Sequence, residues 1–325
     1  MAYETGSASD INDLLNKLRV FALAHGWTID YHGVRTNTAG VSQGNGLNAL
    51  MLSKGGVYWG LLHTTSGGWG GVGPWVNVSM YAGPWVPNGG GTDSQPNRSA
   101  SATANKMVGP FVGYHFFGDP VRSYLHVVVE VSAGSYRHFG IGVFDQVGAA
   151  AVAAYTYASA PYFANMSYAN DPGASDNIFP WCEYCSDSSV FGAMVRFDSD
   201  GLSPRYLKLS RNESDANRAF GSFRNSSSGA SSLIYAPMQV APSNLTGRAP
   251  LFPAIVMASR NGSSTQRSIV GQPFDLRVLR INNITPGDVI TIGSDQWRVF
   301  PVVRKSAPAG VENSGSWGYA FRMVP

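Results

Sequence analysis

Residues 124–144 constrain the fold more than any other stretch. Tyr124-Leu125-His126-Val127-Val128-Val129-Glu130-Val131 is dominated by β-branched and aromatic side chains, which suit a pleated strand better than a helix. A Ser-Ala-Gly-Ser turn follows, and then Tyr136-Arg137-His138-Phe139-Gly140-Ile141-Gly142-Val143-Phe144. Two such strands around so short a turn predict a β-hairpin. Period-two alternation recurs at 27–31, 57–61 and 75–81. Further strands are predicted at 192–197, 206–209, 254–258, 276–281, 289–292, 297–303 and 318–323. The last of these surround two turns, Thr285-Pro286-Gly287-Asp288 and Gly293-Ser294-Asp295-Gln296, and so predict a second hairpin.

One helix is expected. Ile11, Leu14, Leu15, Leu18, Phe21 and Ala22 share a face at helical spacing. Ser9 or Asp10 can cap its start, and Gly26 stands where it should stop. Glycine is 38 of 325 residues and charged residues are 13%, against about 25% in an ordinary soluble protein. That composition excludes a coiled coil, a long helical bundle and a charge-rich disordered chain. The expected fold class is therefore mainly β. It comprises an antiparallel sandwich- or barrel-like main domain, one N-terminal amphipathic helix and a smaller C-terminal β domain. Prolines 237, 242, 250 and 253 punctuate a boundary. The predicted divisions are 1–26 (helix), 27–240 (main domain with long loops) and 241–325 (C-terminal domain). Segments 66–91 and 212–232, rich in Gly, Pro, Trp or Ser, read as loops.

The opening MAYETGSASD has neither the basic nor the apolar region of a signal peptide. No run approaches the eighteen apolar residues that a membrane helix needs, so no membrane insertion is expected. The formal charge is only +3, and basic residues are not interleaved with aromatics, so no nucleic-acid partner is predicted.

The search for chemistry finds little. Cys182 and Cys185 form a single C-x-x-C and are the sole candidate metal ligands, without the second pair or the nearby histidines that zinc uses. The six histidines show no metalloprotease spacing. His126 and His138, in adjacent predicted strands, read as satisfied sheet histidines. Glu130 reads as a cross-hairpin partner of Arg137. Neither a G-x-S-x-G elbow nor a phosphate-binding loop stands out. No catalytic residue and no cofactor is predicted. Trp69, Trp75, Tyr81 and Trp85 form an aromatic group that can serve as a glycan-stacking platform or as a subunit contact.

The hairpin Tyr124–Val131/Tyr136–Gly142 resembles a hairpin of virion structural proteins from tailed bacteriophages. The segments 293–305 and 318–322 are similar to the ends of such proteins, as is the N-terminal helix followed by Gly26-Trp27-Thr28-Ile29-Asp30. These motifs cover about a fifth of the chain and are features of packing and turns. The resemblance implies a non-enzymatic virion component, in the tail or baseplate, made in the host cytoplasm. Its implied partners are copies of itself and other virion proteins. Two alternatives are a receptor- or carbohydrate-binding tail module that contacts a host surface glycan, and a virion enzyme degrading envelope polysaccharide. Low charge and abundant glycine also suit a surface covered by neighbours.

Overall fold

The computed structural model describes residues 2–36, 47–66, 72–81, 83–86, 102–147, 152–158, 190–191, 193–198, 205–208, 219–221, 249–259, 267–306 and 317–323. Its first half contains β1 (Tyr3–Ala8), α1 (Ile11–Ala24), β2 (Thr28–Val34), β3 (Asn48–Lys54), β4 (Val57–Ser66), β5 (Val72–Tyr81), β6 (Ala102–Lys106), β7 (Phe111–Gly118), β8 (Tyr124–Ser132), β9 (Ser135–Gln146) and β10 (Val152–Ala158). There follow β11 (Val190–Phe191), β12 (Ala193–Asp198), β13 (Arg205–Lys208), β14 (Ala219–Gly221), β15 (Phe252–Pro253), β16 (Val256–Ser259), β17 (Arg267–Pro273), β18 (Leu276–Arg280), β19 (Val289–Ile292), β20 (Asp295–Pro301) and β21 (Trp317–Met323). The protein is mainly β, with one N-terminal helix and a distinct smaller C-terminal sheet, as its periodicity predicted.

The helix forms for the expected reasons. Asp10 caps it by accepting the Asp13 N–H at 2.9 Å, and the Asp13 carboxylate reaches back to the Ser9 N–H at 2.9 Å. All six predicted apolar positions are buried. Gly26 leaves the helix with φ +76°, a region glycine enters without a Cβ clash. Lys54 then donates to the carbonyls of His25, Asp119 and Pro120, which ties the end of α1 to β3 and to the loop before β8.

Three sheets stack in layers. The six-stranded sheet runs β11-β6-β5-β4-β3-β2, and the five-stranded sheet runs β15-β18-β21-β20-β19. Between them lies a ten-stranded sheet with the path β1-β7-β8-β9-β10-β12-β13, onto which β17, β16 and β14 join at the far end of β9. Thus β16 and β17 belong to the large sheet, although they lie within 241–325 and next to strands of the small one. Alternate residues of the middle sheet feed two cores. Leu125, Val127, Val129, Phe139 and Ile141 pack with α1 and with Leu52, Trp59, Leu61 and Val78 of the six-stranded sheet. Phe117, Val128, Phe144, Tyr155 and Tyr157 pack with Leu276, Val278, Phe300, Tyr319 and Phe321 of the C-terminal sheet. The Trp59 indole N–H donates to the Tyr155 carbonyl at 3.2 Å, joining two layers. The Tyr136 N–H donates to the Val303 carbonyl at 2.7 Å, joining the middle layer to the C-terminal one.

The predicted hairpin is β8–β9, turning through Ala133 and Gly134, the latter at φ +70°. The second is β19–β20, turning at Gly293 and Ser294. The stretch 66–91 is not all loop, because β5 lies inside it. Within 212–232 only β14 is among the described residues. The expected Glu130–Arg137 pair does not form. Glu130 lies opposite Tyr136 and Arg137 opposite Val129, so the two charges sit on opposite faces. Glu130 instead accepts the Gly134 N–H at 2.7 Å and steadies the turn.

Two glycines of β9 are seats for tyrosines. Gly142 lies opposite Tyr155 and Gly140 opposite Tyr157. A Cβ at Gly140 would strike the Tyr157 ring, and one at Gly142 would stand 2.7 Å from the Tyr124 Cβ and 2.9 Å from the Ser123 carbonyl oxygen. Backbone cannot give way cheaply, so Gly142→Ala is expected to cost about 1–3 kcal/mol through overpacking. Urea unfolding of the variant checks this.

Candidate functional site

Two places gather polar chemistry: the interface between the middle and C-terminal sheets, and the outer face of the six-stranded sheet. The interface owes its polar groups to the alternation of β8, β9 and β10. His126 and His138 project from that face and are fully buried. His126 Nε2 lies 2.9 Å from the Phe274 carbonyl, which can only accept, so Nε2 carries the proton. Nδ1 of the neutral ring then accepts the Tyr157 hydroxyl at 2.9 Å. His138 Nε2 likewise donates to the Pro301 carbonyl at 2.9 Å. Burial pushes His126 down to about 4 and His138 down to about 3. Both rings are therefore neutral and hold two layers together.

Asp275 closes one end of this interface. It occupies the tight turn from β17 into β18, with φ +53°. Its carboxylate accepts the Tyr124 hydroxyl at 2.6 Å and lies 3.1 Å from an Arg122 nitrogen and 3.4 Å from one of Arg322. Burial, and then the Asp275 charge, push the Tyr124 hydroxyl far above its usual range. Arg322 also reaches Asp295 at 2.6 Å. Asp275 itself is buried while Arg122 and Asp295 reach solvent, and the cluster's chemistry is that of a joint between sheets.

The second place is open. A shallow groove is lined by Asp30, Met51, Tyr58, Trp59, Tyr81, Gly83, Pro84 and Trp85. A β-bulge builds it. Ile29 pairs with Leu52 and Tyr31 with Met51, so Asp30 is an extra residue in β2. Ile29 faces the inner core, yet Tyr31, two positions on, joins the outer aromatic cluster. Without the bulge both would share a face. Tyr31 stacks on Trp85, with ring centroids 4.8 Å apart and planes 27° apart. Asp30 Oδ1 accepts the Ser53 hydroxyl at 3.0 Å. Partial burial raises the Asp30 carboxyl above the usual carboxylate range.

Of the aromatic group singled out in the sequence, the structure brings Tyr81 and Trp85 to one groove. Trp75 lies in β5, where its backbone pairs with Thr64 and Lys106. Trp69, Cys182 and Cys185 lie outside the described residues. Among the described residues, no three His, Cys, Asp or Glu gather as a metal site would require. Sequence reasoning missed Asp30, Tyr31 and Tyr58. A carboxylate inside the alternating run 27–31 was the available signal, since an acid rarely occupies a strand interior without a local reason. No known family model matches the chain, and no curated protein matches it either.

The buried histidines make stability depend on pH. In the unfolded chain each ring takes a proton below about pH 6.5. Folded, His126 and His138 resist it down to about 4 and about 3. The unfolded state thus binds more protons in this window, and stability falls as pH falls. The contribution is complete above pH 6.5 and is lost as pH drops through the folded values. Moving from pH 7.5 to 5 is expected to cost on the order of 2 kcal/mol per ring. Urea midpoints across that range test this. His115, which burial also pushes down to about 4, adds a similar share, so His138→Gln, which keeps a donor for the Pro301 carbonyl, is expected to remove roughly a third of the dependence.

Proposed function

We propose that the chain is a non-enzymatic structural component of a tailed-phage virion, in the tail or baseplate, working through symmetric contacts with copies of itself and with other virion proteins. The observation that carries the assembly reading is β19. It is an edge strand, paired among the described residues to β20 alone. Its four residues, Val289-Ile290-Thr291-Ile292, contain no charge and no proline, and Val289 and Ile292 are exposed. Monomeric proteins blunt such edges with charge, proline or a bulge. An edge left uncharged is suited to a neighbouring chain.

Other surface features point the same way. Val20 and Leu23 on α1 are exposed, as are Val108, Val112 and Val121 around β7. With only 13% charged residues, the chain has little to dilute them. The virion setting rests on the resemblance of the β8–β9 hairpin. The residues that carry that resemblance are core and turn residues, as befits a scaffold.

Two measurements test the reading. Purified protein is expected to self-associate, and a Val289→Lys/Ile292→Lys variant is expected to weaken association at least about tenfold, or ~1.4 kcal/mol, in sedimentation velocity. Deletion of the coding sequence from its phage is expected to give particles lacking a tail or baseplate part. Intact infectious particles from that deletion would overturn the proposal.

A further inference from the structure

The groove on the outer face of the six-stranded sheet has no part in the assembly reading, and its binding chemistry is independent of self-association. We propose that this groove is a carbohydrate subsite that takes a neutral hexopyranose unit of a polysaccharide, stacked against Trp85 and held by Asp30.

Four observations carry the assignment. First, aromatic side chains line the groove, of which Tyr58 and Trp85 are partly exposed while Tyr81 is buried beneath them. The axial C–H groups of a pyranose pack on aromatic faces, while its hydroxyls need polar partners at the rim. Second, Trp85 is braced from one side by Tyr31, at 4.8 Å between centroids. A platform held in place loses little freedom when a ligand lands on it.

Third, the polar partners are of both kinds. Asp30 spends Oδ1 on Ser53, and its other oxygen takes no hydrogen bond among the described residues. The Tyr58 hydroxyl and the Trp85 indole N–H also take none there. Sugar hydroxyls donate and accept, so they use an acceptor and two donors together. A cationic ligand would use the carboxylate and the ring faces and leave both donors idle. Fourth, the bulge at Asp30 is what places this carboxylate in β2 beside an aromatic cluster, and bulges re-aim side chains at functional positions.

The charge of Asp30 also sets selectivity. It accepts from neutral hydroxyls and repels a uronate carboxylate, so acidic sugars are disfavoured. Asp30 is the sole carboxylate among the described lining residues. Glycosidic cleavage in most such enzymes uses two, so the groove is assigned binding and not hydrolysis.

The test titrates the full chain, by saturation-transfer NMR and calorimetry, with neutral trisaccharides (maltotriose, cellotriose, chitotriose and a galactose trimer), with trigalacturonate and with choline. At least one neutral trisaccharide is expected to bind with a dissociation constant of about 1 mM or tighter. Trigalacturonate is expected to bind at least about tenfold more weakly. Trp85→Ala is expected to lower affinity at least about tenfold, and Asp30→Asn, which keeps the shape and the bond to Ser53, several-fold. Circular dichroism confirms that both variants are folded. Loss of binding in folded Asp30→Asn alone would still support the site if Trp85→Ala misfolds. No binding of any neutral trisaccharide at 10 mM, roughly the ceiling for a specific subsite, overturns the proposal. So does binding unchanged in both variants, or choline binding tighter than every sugar.

Discussion

Covering the middle sheet on both faces is the constraint on which the rest of the structure depends. From Tyr124 to Val129 every residue of β8 is buried. An antiparallel sheet more often keeps one face wet, and then reads as alternating apolar and polar. Here neither face can be polar without a partner. The two histidines on the C-terminal side are therefore neutral, and each donates to a backbone carbonyl. The glycines of β9 reflect the same crowding, because tyrosines from β10 need the room that side chains would take.

The joint at Asp275 links the layers more tightly than apolar packing alone. One residue turns the chain from the large sheet into the small one. It also binds Tyr124 from the middle sheet and Arg322 from the small sheet. A left-handed conformation is tolerable for aspartate, and the charge is compensated by two guanidinium groups. Geometry and electrostatics thus converge on one short turn.

Much of this was legible in the sequence, and the parts that were not have physical reasons. The helix face, both hairpins and most strands arise from periodicity and turn chemistry. Strands β1, β3, β6, β7, β10, β11, β14, β15 and β17 escaped notice. In β7, Phe116 and Phe117 serve opposite cores, so the apolar run does not alternate. In β10, alanines 153, 154 and 158 carry weak β preference, and tyrosines 155 and 157 fit only because glycines face them. Tyr81 and Trp85 were named from composition, and both line the groove. Asp30 was invisible because a bulge changes the parity of a strand, and parity is what a period-two reading assumes. The assignment of β16 and β17 to the large sheet depends on pairing with β9, far away in sequence, which no local pattern encodes.

That last pairing governs how the molecule comes to be made. Gln272 and Asp145 bond across β17 and β9, 127 positions apart. Tyr3 and His115 bond with a separation of 112. During synthesis, β8, β9 and β10 leave the ribosome long before β18 to β21 exist to cover them. The face bearing His126, His138, Tyr155 and Tyr157 then meets water or other nascent chains. Such non-local closure is slow, and uncovered sheet invites aggregation at that stage. The neutral, hydrogen-bonding character of those four side chains makes the waiting face less sticky than a purely aliphatic one, so the polar joint also eases the assembly of the fold in time.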